Sequence, residues 1–178
     1  DGMYEFRADT SLLLNITPDH LDRYNYDISE YADSKLRIIQ NQKKGDHFIF
    51  NTDDFLISDK LRGKNIEVDQ LRFSLKSKIE KGATLNTDRL EIRTEQASFS
   101  IPISAIPLIG KHNLYNTMAA VLAVVQYGVS ENQITEGLRS FRNAPHRLEY
   151  VEEIDGVKFI NDSKATNVDS VFYALDGM

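Results

Sequence analysis

Val157-Lys158-Phe159-Ile160-Asn161-Asp162-Ser163-Lys164-Ala165-Thr166-Asn167-Val168 runs from an apolar strand pattern through a polar stretch into a helix whose Val168, Val171, Phe172 and Leu175 share one stripe. A strand that hands its chain through a polar loop to a helix is the unit from which α/β folds are built. In open α/β sheets ligands bind in the crevice beyond the carboxyl ends of the strands, where the next helix offers unpaired N–H groups to anions. Six of the seven residues from Asn161 to Asn167 are polar. Asp162, Lys164 and Thr166 would all lie in that crevice, which makes the loop the foremost site candidate; a plain polar connection is the alternative. Thr166 and Asp169 have the spacing of a capping box, which sets the start of the helix.

Upstream of this unit, Asp155-Gly156 predicts a hairpin turn, and Asn143-Ala144-Pro145 interrupts a helical pattern. A domain boundary belongs at that break. Before it, Lys111 to Tyr127 reads as a helix with Leu114, Met118, Leu122 and Val125 on one face, ended by Gly128. Ser130 and Gln133 cap the next helix, whose apolar side is Ile134, Leu138 and Phe141. Toward the start, Ser11 to Ile16 suits a strand buried on both faces, and Thr17-Pro18 should open a helical turn that projects His20 near the strand end. A helix from Asp27 to about Lys43 and a strand over His47 to Asn51 follow. Alternation from about Ile66 to Ile103, in Leu71 to Leu75, Leu90 to Arg93 and Phe99 to Ile101, predicts antiparallel strands with one wet face. Lys76, Lys78 and Lys81 fall there as solvated charges and are assigned no ligand.

Composition bounds the function. The 178 residues suffice for one full core plus a piece of another, 41% are hydrophobic and 27% charged, and no apolar stretch is long enough to span a bilayer. A net charge of −6 and a pI near 5.2 argue against nonspecific nucleic-acid binding. With no cysteine there is neither a disulfide nor a thiol nucleophile, in keeping with a reducing, cytoplasmic setting. The chain starts at Asp1 and stops at Met178 just after a helical pattern, so both ends read as cut.

Four further places could carry chemistry. Lys35 falls in the middle of the stripe Ile28, Tyr31, Ala32, Leu36 and Ile39, so it is expected to face the core. An ammonium there must snorkel to water, find a carboxylate or lose its proton. A neutral lysine can also add carbon dioxide and become an anionic carbamate able to coordinate magnesium. His20, beside Asp19 and Asp22, is a candidate metal ligand in its neutral form, against the alternative of a capped turn. Asn113 and Asn116 share one face of a helical first turn, where side-chain amides suit the edge of a purine, or simply cap the helix. Arg147, after the domain break, could hold a phosphate across a cleft; the alternative is an ion pair with Glu149 or Glu152.

In their order along the chain these segments resemble the Mur ligases of peptidoglycan synthesis, and among them the D-glutamate-adding members. The likeness rests on Asn15 to Tyr24, on Lys35 within Ser34 to Ile38, on Gly110 to Asn116, on Ala144 to Glu149 and on Phe159 to Asn167, and it covers nearly the whole chain. It implies a central ATPase-type α/β domain over residues 1–143, a largely parallel sheet flanked by helices with a small antiparallel sheet, and over 144–178 the first part of a Rossmann-like C-terminal domain. It implies ATP-dependent joining of D-glutamate to UDP-N-acetylmuramoyl-L-alanine through an acyl phosphate, with ATP and magnesium as cofactors, in a monomer.

By the same resemblance His20 and a carbamylated Lys35 would hold magnesium, and Asn113 and Asn116 would flank adenine. Arg147 and Asp162 would contact the nucleotide, and Lys164 and Thr166 would face the nucleotide sugar. One departure stands out: the family needs Gly-Lys-Ser/Thr to cradle phosphates, and here the Gly-Lys pairs are followed by Asn65 or His112. The chain therefore reads as a fragment, inactive alone. The alternatives are a noncatalytic adenine-nucleotide-binding module, a folate polyglutamating ligase, which the run Asn161 to Asn167 disfavours, and a magnesium phosphohydrolase built on Asp19, His20 and Asp22.

Overall fold

The computed structural model describes residues 4–19, 21–108, 110–166 and 168–176. Six strands form one sheet in sequence order: β1 (Thr10–Leu13), β2 (His47–Asn51), β3 (Asp69–Ser74), β4 (Gly82–Asn86), β5 (Arg89–Arg93) and β6 (Ser98–Pro102). β1 through β4 are parallel, and β5 and β6 continue the sheet antiparallel. A second sheet is the hairpin of β7 (Glu149–Ile154) and β8 (Val157–Asn161). The helices are α1 (Ile28–Leu36), α2 (Phe55–Leu61), α3 (Lys111–Val125), α4 (Glu131–Ser140) and α5 (Val168–Asp176).

Alternation along β2 explains the layers. Phe48 and Phe50 point to one face, where they pack with Leu13, Tyr31 and Ala32 of α1 and Ile57 of α2. Ile49 points to the other, joining Leu71, Phe73, Ile92 and the buried stripe Met118, Leu122 and Val125 of α3. A sheet covered by helices on both faces needs strands that are apolar throughout, and Phe48-Ile49-Phe50 supplies that. Each such fully buried side chain favours folding by roughly 1.5–3 kcal/mol over its exposed state.

Several boundaries differ from the sequence reading. β3 was expected to be antiparallel; it pairs parallel with both neighbours, because strand direction is set by the connection and not by alternation. A connection over residues 75–81 links β3 to β4 without a helix, and it can be so short because only Arg72, Phe73 and Ser74 find partners. α2 was not foreseen: at Phe55–Leu61 it is too short to show a period, though Asp54 caps it by accepting from the Ile57 N–H. The helix expected to reach Lys43 ends as α1 at Leu36 and tightens into a 3₁₀ turn over Arg37–Ile39. The turn after Pro18 begins at Leu21. The capping box at Ser130 and Gln133 and the hairpin turn at Asp155 and Gly156, both at positive φ, form as read. The proposed capping pair of Thr166 and Asp169 lies outside the described residues in its Asp169 side chain.

Candidate functional site

Asp53 and Asp54, just beyond β2, gather the carboxyl ends of three parallel strands. Asp54 accepts from the Ile16 N–H at 2.9 Å, tying down the segment that follows β1. Buried Asn51 donates to the Leu14 carbonyl and accepts from the Asp53 N–H. Asp53 receives the Ser74 hydroxyl at 2.6 Å, the Leu75 N–H at 2.7 Å, the Lys76 N–H at 3.2 Å and the Tyr115 hydroxyl at 2.8 Å. Burial alone would raise the Asp53 pKa, but the bonds from Ser74, Tyr115, Leu75 and Lys76 outweigh it and hold the carboxyl below its ordinary range. This hub was missed in the sequence, where only the strand over His47 to Asn51 was read; its partners lie far along the chain.

The Tyr115 bond brings the start of α3 to the same crevice, since Tyr115 belongs to its second turn and its ring also packs on Phe73, centroids 6.2 Å apart. Gly110, at φ 100, is the N-cap, a conformation that glycine adopts without strain. Of the two asparagines read as purine contacts, Asn113 is buried and Asn116 exposed.

Lys35 corrects an expectation. It does not face the core: the residue is exposed and its ammonium lies 5.0 Å from the centre of the Tyr31 ring. The stripe of α1 is real, with Tyr31, Ala32 and Leu36 buried, but the long lysine stem runs along Tyr31 and returns the charge to water. Tyr31 in turn meets Tyr24, ring centroids 5.1 Å apart, and the Tyr24 hydroxyl lies 3.2 Å from Ser34 Oγ. His20 lies outside the described residues. Asp19 and Asp22 belong to no group of three or more metal-binding side chains; none occurs among the described residues.

The two C-terminal candidates join. Asp162 accepts from the Leu148 N–H at 3.0 Å, and the Lys164 N–H donates to the His146 carbonyl at 3.1 Å. Asn161 donates toward His146 Nδ1 at 2.8 Å, and Glu149 accepts from the His146 N–H at 2.8 Å. His146 and Leu148 both take positive φ, so the loop carrying Arg147 is folded tightly against the end of β8. Arg147, Lys164 and Thr166 are exposed on this loop pair, and Asp162 is half-buried by its backbone bond. Among the described residues the Arg147 guanidinium forms an ion pair with neither Glu149 nor Glu152; His146 takes Glu149 instead, at 3.6 Å.

Residues 1–124 match the Mur ligase middle domain. The chain belongs to the Mur ligase family. Mur ligase relatives resemble it over its whole length: the UDP-N-acetylmuramoylalanine--D-glutamate ligase of Cytophaga hutchinsonii is 45% identical over 100% of this chain and 40% of its own, and that of Bacteroides thetaiotaomicron is 42% identical over the same shares. The chain thus spans about two fifths of the length of these curated relatives. Among solved Mur ligases, MurF from Acinetobacter baumannii superposes with a TM-score of 0.76 at 20% identity, over 96% of this chain and 37% of that one. MurF from Thermotoga maritima, solved in complex with ADP, gives 0.68 at 18% identity over 96% and 39%. These likenesses establish the fold: a mostly parallel six-stranded Mur ligase sheet flanked by helices, plus a small antiparallel sheet.

Proposed function

We propose that this chain carries part of a cytoplasmic, monomeric ligase that joins D-glutamate to UDP-N-acetylmuramoyl-L-alanine at the expense of ATP, in peptidoglycan precursor synthesis, and that the chain alone does not turn over. One observation carries the reading: likeness to ligases named for D-glutamate runs over all of the chain, through the loop from Asn161 to Thr166 as well as the middle domain. The residue ranges 1–143 and 144–178 are proposed as the middle domain without its phosphate loop and the start of the next domain.

The chemistry is charge management. The terminal carboxylate of the nucleotide sugar attacks the γ-phosphorus of ATP, ADP leaves, and the acyl phosphate is attacked by the D-glutamate amine, which loses a proton as phosphate departs. Both transfers bring anions together, so cationic and N–H donors must meet the oxygens that gain charge. That role is assigned to Arg147, whose exposed fork stands on a loop tied to Asp162 through the Leu148 N–H. Asn113 and Asn116 are assigned to adenine, Asp162 to the nucleotide side of the cleft, and Lys164 and Thr166 to the nucleotide sugar.

Magnesium, which the family implies, would on this reading be held by His20 and by Lys35 as a carbamate. Among the described residues no group of three or more His, Asp or Glu side chains converges, and His20 lies outside them. The roles assigned to Lys35, as a carbamate, and to His20 rest on the resemblance of their segments.

The test is ADP formation by the complete gene product given ATP, UDP-N-acetylmuramoyl-L-alanine and one amino acid at a time. D-glutamate alone should support turnover. Equal turnover with L-glutamate, glycine or diaminopimelate, or none with D-glutamate, would overturn the assignment.

A further inference from the structure

We infer that Asp53 and Tyr115 form a positioning pair that sets how α3 presents Asn113 and Asn116 to the adenine ring, an inference that rests on the adenine-nucleotide reading above. Tyr115 stands between the two asparagines in sequence, and its ring packs against Phe73 of β3 while its hydroxyl donates to Asp53 at 2.8 Å. Asp53 is itself immobilised by the Ser74 hydroxyl and by the Leu75 and Lys76 N–H groups. The carboxylate therefore connects the end of β2, the β3–β4 connection and the start of α3 through one group.

The N-cap Gly110 has no side chain to cap α3, and the hydroxyl bond of Tyr115 adds a specific attachment in the first two turns of the helix. Apolar contacts tolerate small shifts of a helix, whereas a charge-assisted hydrogen bond is directional and resists them at its point of attachment. A small displacement of Asn113 and Asn116 is enough to spoil paired amide contacts with a purine edge. Asp53 and Tyr115 touch no substrate in this scheme and act through the asparagines.

The experiment uses the complete ligase with Tyr115→Phe, which keeps the ring on Phe73 and removes only the hydroxyl, and with Asp53→Asn. For Tyr115→Phe we expect the KM for ATP to rise about tenfold, with kcat and the KM values for the nucleotide sugar and D-glutamate within about twofold of wild type. Combining the two substitutions should raise the ATP KM no further than Asp53→Asn does, because both cut the same connection. An unchanged ATP KM in Tyr115→Phe would overturn the inference. So would a parallel rise in all three KM values accompanied by a lower unfolding midpoint, which is what a purely structural bond produces. If the wild-type enzyme neither binds nor consumes ATP, it is the functional reading that fails, and that control separates the two.

Discussion

Lys35 holds its charge in water beside Tyr31 and not in the core, so its value to the fold is small. Lys35→Ala should change the unfolding free energy of this chain by less than about 1 kcal/mol in urea titrations. In the complete enzyme the same substitution should nearly abolish ligation, and added short carboxylates should partly restore it. Wild-type turnover in the alanine variant would remove Lys35 from the site. Asp53 is the opposite case: Asp53→Ala strands the buried Ser74 hydroxyl and the half-buried Leu75 N–H and Tyr115 hydroxyl, and should cost about 2–4 kcal/mol by the same titration.

Acid stability follows from the same groups. The Asp53 carboxyl is held low against its burial, and Asp46 is held at about 2, first by the Arg7 guanidinium and then by the Lys43 N–H. Folded values below the unfolded value of about 3.9 mean that both contributions are complete above about pH 5 and fade as pH falls toward 2. Unfolding midpoints measured between pH 5 and pH 2.5 should therefore fall, and fall less steeply in Asp46→Asn, whose starting midpoint is lower. Identical slopes would remove Asp46 as a source. At this scale the sequence was legible wherever the signal is local, as in the Ser130 cap. It was not where partners are distant: Asp53 meets Tyr115 across 62 positions.

Among the elements, the parallel crossing from β3 to β4 depends on Gly82. Its φ is 142°, and a Cβ there would lie 1.8 Å from the Arg72 carbonyl oxygen, so the start of β4 approaches β3 more closely than any side chain allows. Gly82→Ala should destabilise the chain by more than about 3 kcal/mol or prevent folding, read by urea unfolding and circular dichroism. Wild-type stability would mean that the strands separate there at no cost. The direction of β3 was not legible in the sequence because alternation reports which faces are buried and says nothing of the neighbour's polarity. The α3 stripe was legible because a single helical period decides it, and β2 because its short apolar run is bounded by Gly45 and by polar residues after Asn51.

For the molecule as a whole, apolar surface is distributed unevenly. The main sheet is closed on both faces, whereas Val168, Phe172 and Leu175 of α5 are 84%, 62% and 66% exposed, and Tyr150, Val157 and Phe159 of the hairpin are exposed with them. The residues read as one apolar stripe on α5 are largely exposed in this chain, and among the described residues the buried side chain of the helix is Ala174. Phe172→Ser with Leu175→Ser should leave the unfolding midpoint within about 2 °C while lowering the binding of a hydrophobic dye. A large loss of stability would show that the stripe is packed after all. No helix among the described residues is long and apolar enough to cross a membrane.

Activation of a carboxyl group by ATP is the claim on which the functional reading stands, and the path of oxygen tests it directly. UDP-N-acetylmuramoyl-L-alanine carrying a heavy-oxygen label in its terminal carboxylate should, with the complete enzyme, ATP and D-glutamate, yield inorganic phosphate bearing one labelled oxygen. Turnover that leaves the released phosphate unlabelled would contradict carboxyl activation and with it the assignment of this chain to a D-glutamate ligase.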